Sequence, residues 1–282
     1  MLQFDYDALV ALAAVAREGG FEAAAKSLGV TQSAVSQRIK QLEDKSGSIL
    51  IVRGRPCIPT SMGTRLIDHL EQVSLLQQDL RMSLGEQLTP DAGITATLRI
   101  SVNNDSLATW FPHVIKRAKE ELGLRLDIFP DDQAHTEERL RSGDAAAVVT
   151  GLSKTIPGCR SVPLGAMDYV GVATPNWVQE KLGGNVTPDT LRWTPCLVWG
   201  RKDSVPGVWM TSTFGAPIET STYYVPSYSG YLECCLNETG WGVVPTVAAE
   251  PHLERGELVE LVAGATIGVP LYWQTNKQSG HA

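Results

Sequence analysis

At 282 residues the chain is too long for one small module, and 43% hydrophobic with 20% charged residues gives enough apolar material for packed cores, which excludes a long disordered chain. The net charge of −7 would count against nucleic acid if it were evenly spread, but residues 26–65 carry +5 while residues 91–282 carry −6. The longest apolar run, Ala8 to Ala16, is far shorter than the roughly 20 residues that span a bilayer, and two acids with no base precede it, the wrong charge for a secretory leader; a cytoplasmic protein with no membrane partner is expected.

In chain order, Leu9, Leu12, Ala13 and Ala16 recur at helical spacing, so Asp5 to Gly19 reads as a helix stopped by Gly19-Gly20. Phe21 to Leu28 reads as a second, short helix, whose small triplet Ala23-Ala24-Ala25 lets a neighbour approach closely. Thr31 is a good N-cap for a third helix running to about Lys45. On that helix Ala34, Val35, Ile39 and Leu42 share one face, and Gln32, Ser33, Ser36, Gln37 and Lys40 lie toward the other. The outer face offers amides and hydroxyls that hydrogen-bond base edges or phosphates, where a merely solvated helix more often alternates Glu and Lys; these residues alone leave both readings open.

Ser48 to Thr60 reads as a strand, a tight Arg-Gly-Arg-Pro turn and a return strand. This makes a wing whose tip carries Arg53 and Arg55, for a minor groove, for backbone phosphate or simply for solvent. Ser61 to Leu88 reads as a long helix with Leu66, Val73 and Leu80 seven apart and Leu70, Gln77 and Leu84 interleaved. That heptad seam predicts self-association, because the helix has little other core to meet, with packing inside the same chain as the alternative. Thr89-Pro-Asp-Ala-Gly93 breaks the pattern and marks a linker. Beyond it, strand-like and helix-like runs alternate at Thr97 to Val102, Ser106 to Leu122, Arg125 to Phe129, Thr136 to Arg141 and Ala145 to Thr150. Further strands are expected at Tyr169 to Ala173, Cys196 to Trp199, Trp241 to Pro245, Leu258 to Val262 and Leu271 to Trp273, an α/β pattern.

The strand-to-helix step at Asn103 to Ser106 suits a carboxylate, because amides at a helix start and the helix dipole favour an anion. Asp105 reads either as a cap or first-turn acid, or as the partner of a ligand amine. Asp131-Asp132 is a second acidic candidate with a turn role as its alternative, and Ser229 a candidate from an opposite wall with capping as its alternative. Enzyme signatures are missing: there is no Gly-x-Ser-x-Gly and no phosphate loop, and Gly240-Trp-Gly242 continues as Val-Val-Pro. His69, His113, His135, His252 and His281 form no local metal-ligand spacing, and Cys57, Cys159, Cys196, Cys234 and Cys235 contain no C-x-x-C pair; neither metal nor cofactor is expected, and the cysteines read as small buried hydrophobes.

The run Phe21-Glu-Ala-Ala-Ala-Lys-Ser-Leu-Gly-Val-Thr-Gln-Ser-Ala-Val-Ser-Gln-Arg-Ile-Lys-Gln-Leu-Glu43, followed by Pro59-Thr-Ser-Met-Gly63, resembles the DNA-binding domain of the LysR-type transcriptional regulators. Leu50 to Thr60, Asn103-Asn-Asp-Ser-Leu-Ala-Thr-Trp110, Glu138-Arg-Leu-Arg-Ser-Gly143 and Leu164-Gly-Ala-Met-Asp-Tyr169 look like the branch that regulates arginine and lysine export. The resemblance implies an N-terminal all-α winged helix-turn-helix over residues 1–60, a dimerising linker helix over 61–90, and an effector domain over 91–282. That domain would have two α/β lobes like type 2 periplasmic binding proteins, lobe I over about 95–163 and 265–282 and lobe II over about 166–262.

By position the resemblance gives Gln32, Ser33, Ser36, Gln37 and Lys40 to the major groove, Thr31 to capping near phosphate, and Arg53 and Arg55 to the wing contact. It gives Asn104, Asp105, Ser106, Thr150 and Gly151 to the effector cleft. The implied partners are double-stranded DNA carrying an interrupted palindrome, lysine or arginine as effector, a second copy or a tetramer, and RNA polymerase. One departure stands at the C-terminus, where similar proteins continue into a closing helix of lobe I and this sequence runs from Gln274 to Ala282 and stops. Two rivals are a solute-binding protein, which leaves residues 1–88 without a use, and an architectural or replication-modulating DNA protein, which leaves the large acidic part idle.

Overall fold

The computed structural model of the protein describes residues 5–83, 97–130, 138–140 and 144–276. Helix α1 (Tyr6–Glu18) starts where the Asp5 carboxylate accepts the Asp7 N–H and ends at Gly19, whose φ of 69° is the left-handed turn glycine adopts freely. Helices α2 (Phe21–Leu28) and α3 (Gln32–Ser46) follow. The alanine triplet acts as expected, with Ala24 and Ala25 buried between helices alongside Leu9, Leu12, Val35, Ile39 and Leu42. The wing strands β1 (Ile51–Val52) and β2 (Ile58–Pro59) pair antiparallel but are two residues each, shorter than the run of apolar residues predicts.

Helix α4 (Ser61–Ser83) corrects one expectation. Leu66, Ile67 and Leu70 are buried in the core of the N-terminal unit, and Leu75 packs against the core under the first effector-domain strands. The upper part of the heptad seam therefore has an intramolecular partner, and the packed N-terminal unit extends past residue 60. Lower down, the seam-side leucines Leu76 and Leu80 are 59% and 60% exposed, whereas Val73 is half-buried. Leu84, Leu88 and the predicted linker at Thr89 to Gly93 lie outside the described residues. Gly63 lets α4 cross the wing, since a Cβ there would collide with the Leu50 carbonyl oxygen.

The C-terminal domain is built on a seven-stranded sheet of order β10 (Val259–Glu260), β6 (Cys159–Ala173), β11 (Thr266–Asn276), β5 (Ala147–Thr150), β3 (Thr97–Val102), β4 (Arg125–Pro130), with β9 (Gly242–Pro245) also on β6. In lobe I, β3 (Thr97–Val102) lies parallel to both β4 (Arg125–Pro130) and β5 (Ala147–Thr150). The helix expected over Ser106 to Leu122 is two, α5 (Asn104–Ala108) and α6 (Phe111–Leu122), because Pro112 has no N–H for a continuing helix and fits only a first turn. Two strands are far longer than the sequence suggests: β6 (Cys159–Ala173) and β11 (Thr266–Asn276). They pair antiparallel from Cys159↔Asn276 to Val170↔Thr266 and join the two lobes, β11 pairing with β5 on one side and β6 with β9 and β10 on the other.

Lobe II adds α7 (Pro175–Leu182), α8 (Pro188–Arg192), β7 (Pro195–Val198), α9 (Val205–Phe214), β8 (Ser221–Tyr224), α10 (Tyr228–Leu236), β9 (Gly242–Pro245), α11 (Thr246–Glu254) and β10 (Val259–Glu260). Trp177, Trp209 and Trp241 are fully buried at its centre. Gly171 of β6 faces the Trp209 ring, where a Cβ would come within 2.5 Å of it. All five cysteines are free; four are buried and Cys234 is half-buried. Among the described residues no helix is long and apolar enough to cross a membrane.

Candidate functional site

Two surfaces gather the predicted residues. On α3, Thr31, Gln32, Ser33, Gln37 and Lys40 are exposed and Ser36 is half-buried, while Val35, Ile39 and Leu42 anchor the opposite face. Thr31 is the cap: its hydroxyl accepts the Ala34 N–H at 3.2 Å and lies 3.0 Å from Ser33 Oγ. Gln32, Gln37 and Lys40 make no side-chain hydrogen bond or ion pair with another described residue, so their donors and acceptors are unspent. The far end of α3 positions the wing, because Glu43 Oε1 accepts the Leu50 N–H at 2.8 Å. The Cys57 N–H in turn donates to the Gly19 carbonyl at 2.8 Å. At the exposed wing tip the Arg53 guanidinium rests 5.2 Å from the Phe21 ring centre, tying the turn to the start of α2, and Arg55 is exposed.

The second surface is a cavity of about 560 Å³ between the lobes. Asn104, Asp105 and Gly151 line it, as the sequence reading places them, together with Asn103, whose buried Oδ1 has no hydrogen-bond partner among the described residues. Three predicted residues are not in its wall. Ser106 is fully buried behind it with its hydroxyl unpartnered. Thr150 is fully buried too, and its Oγ1 is turned to the Leu152 N–H at 3.3 Å. Ser229 is exposed on the outside of α10, 3.5 Å from the Ser227 hydroxyl; Ser227 is the residue that caps α10, and Tyr228 takes the lining position. Asp131 and Asp132 lie outside the described residues.

Asp105 is the first-turn acid of α5 and not its cap, which is Asn103; its Oδ2 accepts the Tyr169 hydroxyl at 2.6 Å. Burial raises the Asp105 carboxyl above the ordinary aspartate range and the Asp203 carboxylate raises it further, while the Tyr169 hydrogen bond pulls the other way. Burial and the Asp105 charge push the Tyr228 phenol up to about 12. Lobe II supplies Trp199, Arg201, Lys202 and Asp203 from the loop between β7 and α9. Both Asp203 oxygens are held by backbone, by the Trp199 N–H at 3.0 Å and the Val205 N–H at 2.9 Å. Sequence reasoning missed Tyr169, Tyr228 and this loop; Tyr169 stood in a predicted strand, but no local signal tells which strand residue meets an aspartate 64 positions away. Among the described residues no three His, Cys, Asp or Glu side chains gather as metal ligands.

Similarity to known proteins follows the same division. Residues 6–64 match the bacterial regulatory helix-turn-helix protein, lysR family, and residues 91–282 match the LysR substrate binding domain. The HTH-type transcriptional regulator ArgP of Pseudomonas aeruginosa is 39% identical over 280 residues, covering 99% of this chain and 92% of its own length. The crystal structure of ArgP from Mycobacterium tuberculosis matches with a TM-score of 0.66 at 37% identity, over 98% of this chain and 92% of that one. Full-length LysG from Corynebacterium glutamicum, with bound effector arginine, matches with a TM-score of 0.59 at 32% identity, over 97% and 92% of the two chains. On an exposed helix face of unspent amides joined to a two-lobed domain with an acidic cleft, and on full-length identity of this order, the chain belongs to the LysR family of regulators.

Proposed function

We propose that this protein is a cytoplasmic, sequence-specific DNA-binding transcription regulator whose grip on DNA is set by a basic amino acid, lysine or arginine, held between the two lobes. It would act as a homodimer or tetramer on an interrupted palindrome, with RNA polymerase as the further partner at its promoters. The observation that carries the effector reading is the pair of carboxylates, Asp105 from lobe I and Asp203 from lobe II, on one cavity whose rim also holds Arg201 and Lys202. A basic amino acid carries two cations for the acids and one carboxylate for the bases. The arginine bound by the Corynebacterium LysG supports the same class.

Such a ligand changes DNA binding only through unequal affinity for two arrangements of the lobes, and β6 and β11 give those lobes a shared hinge. On the DNA side, the α3 amides would read base edges while Arg53 and Arg55 hold phosphate or the minor groove. The test is fluorescence anisotropy on DNA from upstream of the protein's own gene and of neighbouring exporter genes, with lysine, arginine or glutamate. Specific binding that shifts with lysine or arginine but not with glutamate is expected. Binding indifferent to all three would leave a DNA-binding protein without this effector.

A further inference from the structure

We propose that Tyr169 makes the cavity selective for a cationic group, by spending its hydroxyl proton on Asp105 and so presenting its own oxygen and the Asp105 carboxylate as acceptors at this end of the cavity. The inference rests on the effector reading above and names the residue that imposes it. Tyr169 is 4% exposed and sits on β6 between two partner strands, opposite Pro245 of β9 and Ile267 of β11. A ring held on both flanks cannot follow a ligand, and its hydroxyl has one proton to give. That proton goes to Asp105 Oδ2 at 2.6 Å. What remains toward the cavity is a lone pair of the tyrosine oxygen and Asp105 Oδ1, which accepts no hydrogen bond from another described residue. The buried Oδ1 of Asn103 beside them is a further unpartnered acceptor.

An ammonium or guanidinium has only donors and carries the charge that Asp105 answers, whereas a neutral amide or urea brings an oxygen that neither the Asp105 carboxylate nor the Tyr169 oxygen can answer. The arrangement therefore discriminates arginine from citrulline, which has nearly the same shape. Tyr169 is a positioning residue in this account, acting through Asp105. It also acts on the Asp105 charge, because its hydrogen bond opposes the burial and the Asp203 carboxylate that favour the protonated form. The other titratable groups on the cavity are Tyr228 and Tyr231 of α10 and Arg201, Lys202 and Asp203 of the loop before α9; of these Asp203 raises the Asp105 carboxyl, and the Tyr228 phenol is itself pushed up by the Asp105 charge. Without the Tyr169 hydroxyl the carboxyl protonates at a higher pH, and a protonated Asp105 brings a donor into the subsite.

The experiment is titration calorimetry of the full chain and of Tyr169→Phe with arginine, citrulline, lysine and norleucine, between pH 5 and 8. Wild type is expected to bind the two basic amino acids over their neutral counterparts, with affinity lost as pH falls through the Asp105 titration. Tyr169→Phe is expected to lose roughly tenfold to a hundredfold in arginine and lysine affinity, the worth of a hydrogen bond to a charged group, with citrulline and norleucine changed much less. Its pH midpoint for arginine should move upward. Should Tyr169→Phe melt below the assay temperature, 3-fluorotyrosine at position 169 keeps the shape, strengthens the donor and should move the midpoint downward. Equal losses for arginine and citrulline with an unmoved midpoint assign Tyr169 to packing and overturn this inference alone. Failure of wild type to bind either basic amino acid overturns both this inference and the effector reading.

Discussion

Replacing Asp105 by Asn exchanges one carboxylate oxygen for an amide nitrogen and leaves the shape of the cavity wall nearly unchanged. The remaining oxygen can still accept the Tyr169 hydroxyl, so the 2.6 Å contact has a substitute. What disappears is the charge, and a donor takes its place in the subsite. Removing one partner of a desolvated, hydrogen-bonded charge pair costs about 2–5 kcal/mol, or roughly 30-fold to 5,000-fold in affinity, and that loss should fall on lysine and arginine. Norleucine, with no side-chain cation, should change little.

Stability should move in the opposite sense. The folded Asp105 carboxyl titrates above its ordinary value because of burial and Asp203, so its ionised form burdens the ligand-free fold at neutral pH, and the burden lifts as pH falls through the folded value. Asp105→Asn should therefore melt higher than wild type at pH 7 without ligand, with the difference narrowing toward pH 4. Calorimetric titrations and thermal melts at the two pH values check both arms. Equal losses for lysine and norleucine, or a lower melting temperature at pH 7, would refute the reasoning.

On DNA, Gln37→Ala should lose about 1–3 kcal/mol of preference for the target over scrambled duplex if it removes a good base contact. Arg53→Ala or Arg55→Ala should instead weaken binding to any duplex and flatten the salt slope by about one ion, and equal effects from helix and wing variants would contradict the division. Leu76→Asp with Leu80→Asp, both at positions 59–60% exposed, should leave the fold intact and yield monomers in sedimentation with weakened operator binding; an unchanged oligomer would place the main interface elsewhere. Arg99→Ala removes the guanidinium that joins Asp68 of α4 at 3.2 Å and Asp127 of β4 at 3.7 Å. It should cost about 1–3 kcal/mol at pH 7 by denaturant melts, and less at pH 5, because burial already raises Asp68 and Glu71 and protonation relieves their uncompensated charge.

Local chemistry carried some elements completely. The spans of α2 and β3 match the residues read from periodicity, and Thr31 caps α3 as its position before a patterned helix suggests. The break at Trp110 was legible in Pro112 and was missed because the apolar pattern runs on across it. The length of β6 and β11 was not legible, since Pro163, Gly165, Gly268 and Pro270 look like strand breakers. The two strands tolerate them by pairing along their whole length with a register shift at Leu271. The heptad pattern was real, but pattern alone does not say whether its leucines meet a second copy or the same chain, and Leu66 and Leu70 are buried in the N-terminal core, where α4 packs on α1. At the cavity, the lobe I residues follow from one strand end, whereas Tyr169, Asp203 and Tyr228 reach it only through the closing of lobe II onto lobe I.

One ligand site and one DNA face that share a single equilibrium are thermodynamically linked, and the linkage is measurable. Arginine and lysine affinity should be determined by calorimetry for the free protein and for the protein saturated with its operator, alongside operator affinity with and without saturating ligand. A shared equilibrium makes the two ratios equal and different from one, by about 5-fold to 150-fold for a coupling of ordinary size. Ligand affinity identical in the free and operator-bound protein would contradict it, whatever the strength of either binding event alone.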